Sequence, residues 1–81
     1  MNIEILINSI CEFDDLDSIA TSNGLTKDQL RYIFTNMMSS NNYNAQLLIS
    51  GLREYDNLRM IAMTIGITII ELKHILINEI N

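Results

Sequence analysis

The chain is predicted to be all-α: six short helices, arranged as two tandem three-helix units that pack into one compact domain. Three observations lead there. Apolar residues recur at helical spacing along most of the 81 residues, with no proline to break them. Cap residues punctuate the pattern at short intervals. The chain also says nearly the same thing twice, with Gly24 and Gly66 standing 42 positions apart. At that offset Leu16 pairs with Leu58, Ile19 with Ile61, Ala20 with Ala62, Thr26 with Thr68, Leu30 with Leu72 and Ile33 with Ile75.

The first helix is expected to start at Asn2, an N-cap residue type, with Ile3, Leu6, Ile7 and Ile10 on one face. Phe13 and Asp14 end it. Asp14 then caps a second helix whose first turn holds Asp15 and Asp17, where the helix dipole favours acids. Leu16, Ile19 and Ala20 face inward. Gly24 supplies the left-handed turn that closes this helix. Thr26 opens the third helix with Gln29 three residues on, the capping-box pattern. Leu30, Ile33, Phe34 and Met37 line its buried face.

Residues 39–42 read as a short polar linker, and the pattern restarts beyond them. Asn44 answers Asn2, Leu48 and Ile49 answer Leu6 and Ile7, and Asp56 answers Asp14 as a cap. Thr68 with Glu71 repeats the capping box. The units are therefore 1–42 and 43–81. Each is near the size below which a lone domain rarely holds together without a staple. Cys11 is the only cysteine, so no internal disulfide is available. The two units should therefore bury their faces against each other.

Composition narrows the function classes. Isoleucine and asparagine make up nearly a third of the chain. Such usage points to an AT-rich genome, a virus among the candidates. The net charge is −5, with −4 in residues 1–42 and −1 in the rest. A free-standing nucleic-acid binder usually has the opposite balance. The opening MNIEILINSI has no basic stretch and carries Glu4, unlike a signal peptide, and no apolar run approaches the ~18 residues of a membrane span. A reduced, cytoplasmic setting is the expectation. There is no Gly-rich phosphate loop, no Ser/His/Asp set and no cluster with metal-ligand spacing, so neither an enzyme nor a cofactor or metal is expected. His74 reads as a half-exposed helix residue, Cys11 as a small boundary residue and the five methionines as adaptable packing.

Within each copy the motif is Ile-Ala, three residues, Gly, an aliphatic, Thr, three residues, Leu, two residues, Ile. Alanine permits a close helix crossing, glycine makes the turn, and Leu25 or Ile67 fills the angle between helices. IAMTIGITIIELKHI, residues 61–75, resembles the helix-turn-helix of the phage repressor and Cro-like families. The first copy departs from it at one place, with polar Asn23 where the second has Ile65.

The resemblance implies that the second helix of the motif reads the major groove. Carried onto the first copy, it makes Lys27, Arg31, Tyr32 and Thr35 the candidate contacts to DNA or to another partner. Asp28 would oppose phosphate. In the second copy Ile69, Ile70 and Ile77 replace Lys27, Asp28 and Thr35, while Met60 and Met63 replace Ser18 and Thr21. Isoleucine has no group for a base edge, and leaving one in water forgoes about 1.5–3 kcal/mol. Met60, Met63, Ile69, Ile70 and Ile77 are therefore expected to form a protein interface, with the first copy of the same chain, a second chain or a different protein. Asp14, Asp15 and Asp17 form a candidate acidic face for a basic partner, with helix capping the favoured account of them.

Two function classes follow. In the first, the chain is a small acidic regulator or inhibitor that turned a helix-turn-helix body to protein binding, with blocking of a nucleic-acid site on its target as one way to act. In the second, it is a dimeric, sequence-specific transcriptional regulator reading DNA with the third helix of the first unit. Charge favours the first: about two phosphate contacts per copy give only a shallow salt dependence.

Overall fold

Six α-helices follow one another in the computed structural model, which describes residues 2–38 and 43–80; the expected linker at 39–42 lies outside the described residues. They are α1 (Ile3–Glu12), α2 (Leu16–Ser22), α3 (Lys27–Met37), α4 (Tyr43–Glu54), α5 (Leu58–Ile65) and α6 (Ile69–Ile80). The radius of gyration is 11.3 Å, which is what one folded domain of this length has, about 12 Å.

Local chemistry sets the helix ends. Asn2 caps α1 by accepting from the N–H groups of Glu4 and Ile5. Thr26 and Gln29 form a reciprocal capping box at the start of α3, and Thr68 with Glu71 does the same before α6. The aspartates correct the expectation by one residue. Asp15, not Asp14, caps α2, accepting from the backbone and hydroxyl of Ser18. Asn57, not Asp56, caps α5. Asp14 and Asp56 are thereby left free to act elsewhere. Gly24 and Gly66 carry positive φ of 69° and 88°, the left-handed region where a side chain is strained.

All six helices feed one core, and the 42-residue offset runs through it. Leu6 and Leu48, Ile10 and Leu52, Leu16 and Leu58, Ile19 and Ile61, Ala20 and Ala62, Leu30 and Leu72, and Phe34 and Leu76 are all buried. Ile33 and Ile75, expected as anchors, sit less deeply: Ile33 is half-buried and Ile75 is exposed. A helix advances about 100° per residue, so once Leu30 and Phe34, or Leu72 and Leu76, point inward, the residue before the second of each pair falls to the flank. Ile3 on α1 is likewise exposed.

Packing around the core forms a ring. Each helix lies against the next in the chain, α1 also lies against α6, and α3 touches α6 across the middle. The halves are thus stitched through α1 on α6 and α3 on α4. They also meet at the entries to α2 and α5. The Leu16 N–H donates to the Asp56 carbonyl at 2.8 Å, and the Leu58 N–H donates to the Asp14 carbonyl at 2.7 Å. Asp15 and Asn57 face each other in an isolated antiparallel bridge. Each half thereby satisfies an orphan N–H at the start of the other's middle helix.

One difference at the 42-residue offset is compensated. Asn23 donates to the buried Ser9 hydroxyl at 3.0 Å and to the Ile19 carbonyl at 2.7 Å. The counterparts of Asn23 and Ser9 are Ile65 and Gly51. A polar pair in the first half corresponds to an apolar and a small residue in the second. Gly51 sits close to α5: a Cβ there would stand 3.0 Å from Cγ2 of Ile61, which would have to give way by a few tenths of an ångström.

Candidate interaction surfaces

The candidate reading residues stand on α3. Its capping box fixes the N-terminus and Leu30 and Phe34 fix the rotation, so Lys27, Asp28, Arg31, Tyr32 and Thr35 are placed by the core. The two cations do not project into solvent as DNA contacts would. Lys27 Nζ lies 3.1 Å from Asp56 and 3.9 Å from Asp17. Arg31 also pairs with Asp56 and reaches Asp28 at 3.3 Å. Its Nε donates to the Leu52 carbonyl at 2.9 Å and an Nη to the Tyr55 carbonyl at 3.5 Å. Only 19% of the Arg31 side chain is exposed.

The destination of Arg31 has a physical cause. The last carbonyls of a helix have no partner inside it and carry the negative end of its dipole. α4 ends at Glu54, so Leu52 and Tyr55 present such oxygens, and Arg31 caps them from across the domain. The arrangement recurs at the 42-residue offset. Lys73, the counterpart of Arg31, donates to the Cys11 carbonyl at the end of α1 at 3.3 Å. It pairs with Asp14, the counterpart of Asp56, at 2.9 Å, and Arg59 joins Asp14 at 3.2 Å. The Lys73 ammonium beside Asp14 holds that carboxyl below its ordinary range, and Arg59 adds to it. The Ser18 hydroxyl and N–H lower Asp15 in the same sense.

Among the described residues Arg53 is the one lysine or arginine outside an ion pair. The third helix of each half closes the end of the other half's first helix.

Tyr32 is 71% exposed and Thr35 is half-buried. Tyr32 forms one wall of an open groove on α3, together with Leu25, Asp28, Gln29 and Ile33. The expected acidic face divides by role: Asp14 is an ion-pair hub, Asp15 a cap, and Asp17 an exposed partner of Lys27.

The expected apolar interface also divides. Met60, Met63 and Ile70 are 46%, 69% and 65% exposed. Met60 and Met63 are three residues apart on α5 and so share a face. Ile70 lies at the start of α6, whose axis turns 100° from that of α5. Ile69 and Ile77 instead lean on the core. Helical phase decides this: Ile69 is three residues before Leu72, and Ile77 directly follows Leu76, whereas Ile70 falls outside that stripe.

Sequence reasoning missed the hub roles of Asp14 and Asp56 and the capping role of Lys73. A signal was present: at the 42-residue offset the acid at 14 and 56 and the cation at 31 and 73 are both kept, while Lys27 gives way to Ile69. Cys11 is exposed with no disulfide partner. Among the described residues no group of three or more His, Cys, Asp or Glu side chains could hold a metal ion, and no single helix is long and apolar enough to cross a membrane. The chain matches no family model, no curated protein and no solved structure.

Proposed function

We propose that this chain is a small, acidic, non-enzymatic regulatory or inhibitory protein that acts by binding another protein on a helix-turn-helix scaffold. The observation that carries the reading is the fate of Lys27 and Arg31. Both cations at the would-be reading positions are turned onto Asp56, and Arg31 is held further by two backbone carbonyls. Freeing them for phosphate would undo contacts between the halves. Met60 and Met63 on α5 and Ile70 on α6 meanwhile leave large apolar side chains exposed, and exposed apolar surface is the type that marks protein contacts. The net charge of −5 adds to the case, because an acidic surface suits a target with a basic site.

The helix-turn-helix part of the proposal is supported by the second half. α5 and α6 are joined by residues 66–68 and turn by 100°, within the ~90–120° of that motif. The same geometry favours the alternative, a dimeric DNA-binding regulator, so the test must separate the two. Duplex DNA is titrated at low and physiological salt beside a light-scattering mass. The expected result is no sequence-selective complex at either salt. Tight, salt-sensitive and selective binding would establish the DNA-binding regulator instead. In the same samples an apolar fluorescent dye should bind the wild type, and Ile70→Asp with Met63→Asp should abolish that binding while leaving the helices intact. Unchanged dye binding in the double variant would remove α5 and α6 as the contact face.

A further inference from the structure

We infer that the α3 groove is a second docking site, distinct from the α5–α6 face, for a short basic segment of a partner protein carrying an aliphatic anchor. The groove supplies each element of such recognition. Leu25 and Ile33 offer apolar surface, and Tyr32 stands as an exposed aromatic wall. Gln29 commits its carbonyl oxygen to the Thr26 N–H, which leaves its amide –NH2 as the donor for a peptide carbonyl. Asp28 has a side chain 93% exposed.

Charge complementarity selects the occupant. Lys27 and Arg31 together face three carboxylates, Asp17, Asp28 and Asp56, so this cluster keeps one negative charge in excess. Arg31 also reaches Asp28 at 3.3 Å, but Asp28, with 93% of its side chain exposed against 71% for Asp17 and 59% for Asp56, is the carboxylate of the three most open to a ligand. An arginine can pair with Asp28 and lie on the Tyr32 ring, where an aromatic face attracts a cation. A second copy of this chain is a poor occupant, because its net charge of −5 repels. Nucleic acid is a poor one because Asp28 faces it.

The second half shows what the groove would be without this chemistry. At the same offset Leu25, Asp28, Tyr32 and Ile33 become Ile67, Ile70, His74 and Ile75. The acid at 28 is replaced by an aliphatic, and the carboxylate of that face, Glu71 in the place of Gln29, is taken up by the Thr68 N–H at the start of α6. The two halves therefore present different surfaces at equivalent places, one for a basic segment and one for an apolar surface.

The test uses the full chain, labelled with nitrogen-15, and a short amidated helical peptide of leucine and arginine with the leucines along one face. Amide shifts should move at Leu25, Asp28, Gln29, Tyr32 and Ile33. Tyr32→Ala should weaken binding about tenfold or more, as loss of a central aromatic anchor does, and Tyr32→Phe should retain most of it. Asp28→Asn should weaken it about two- to fivefold, the range of one exposed charge pair. Substituting glutamate for every arginine of the peptide should abolish binding. Ile70→Asp should leave it unchanged, so the groove stands or falls apart from the α5–α6 face. Both α3 side chains are exposed, and circular dichroism verifies that the variants fold. Shifts centred on Met60, Met63 and Ile70, or affinity indifferent to Tyr32→Ala, would overturn the assignment. Duplex DNA moving the same amides at physiological salt would reassign the groove to nucleic acid.

Discussion

Replacing Arg31 with alanine should cost far more stability than removing its acidic partner. The two contacts that distinguish Arg31 from a surface ion pair are its hydrogen bonds to the Leu52 and Tyr55 carbonyls. Hydrogen bonds from a charged donor contribute about 1.5–3 kcal/mol. The Tyr55 contact is long at 3.5 Å, so the Leu52 bond at 2.9 Å dominates. Arg31→Ala should therefore destabilise the domain by about 2–3 kcal/mol. Asp56 is mostly solvated, and exposed pairs are worth about 0–1 kcal/mol. Asp56→Asn should cost less than about 1 kcal/mol, since Arg31 keeps its carbonyls.

An 81-residue domain has only about 4–12 kcal/mol in total. Loss of Arg31 should thus lower the midpoint by roughly 10–20 °C, at about 4–8 °C per kcal/mol. Urea unfolding followed by far-UV circular dichroism measures both variants and their double-mutant cycle. Equal and small effects, below about 0.5 kcal/mol, would refute the capping argument and return Arg31 to the pool of side chains available to a ligand. Low-salt titration with duplex DNA supplies the second arm. If Arg31→Ala leaves stability intact and removes DNA binding, the reading helix is α3 after all.

Ile70→Asp should change stability by no more than about 0.5 kcal/mol, as exposed substitutions do, whereas Ile69→Asp next to it places a charge against the core and should cost several times more; chemical denaturation of the pair checks the phase of α6. Leu72→Ala should cost about 2–5 kcal/mol and leave the domain largely unfolded in a thermal melt. Gly51→Ala gains about 0.5–1 kcal/mol of helix propensity but forces a methyl to 3.0 Å from Ile61, an overpacking worth about 1–3 kcal/mol; a net loss near 1 kcal/mol in urea is expected. Asp14, Asp15 and Glu71 all titrate below their ordinary range when folded. Their contribution is therefore complete above about pH 5 and is lost as pH falls through their folded values, below about pH 4; a midpoint-versus-pH series should be flat above pH 5 and fall below it, and Asp14→Asn should flatten the acid limb.

Much of the fold was legible in the residues. Cap types and turn glycines act within three or four positions, so Asn2, Thr26 with Gln29, Thr68 with Glu71, and Gly66 could be read directly and behave as expected. The aspartates before α2 were harder, because two adjacent acids offer the same side-chain oxygen and only the backbone entry angle selects Asp15. The direction of the long cations was not legible. Arg31 can point outward along α3 or back toward α4, and what decides is a carbonyl 21 residues away. The apolar excess of α6 was visible, but its division between Ile69, which is held by the core, and Ile70, which is not, depends on a rotation that only Leu72 and Leu76 fix.

The crossed capping has a consequence for how the protein is made. Lys73 closes the end of α1 across 62 residues. During synthesis the first helix emerges early, yet the cation that finishes it is added 62 residues later. Until then α1 has no α6 to lie against, and α3 and α4 wait for the rest of the ring. Local helices can flicker on the ribosome, but the step that commits the chain must follow the emergence of α6, since contacts this distant close a long loop before they give anything back. A protein truncated before Lys73 should be cleared by proteases as an unfolded chain, with no half-sized folded fragment surviving.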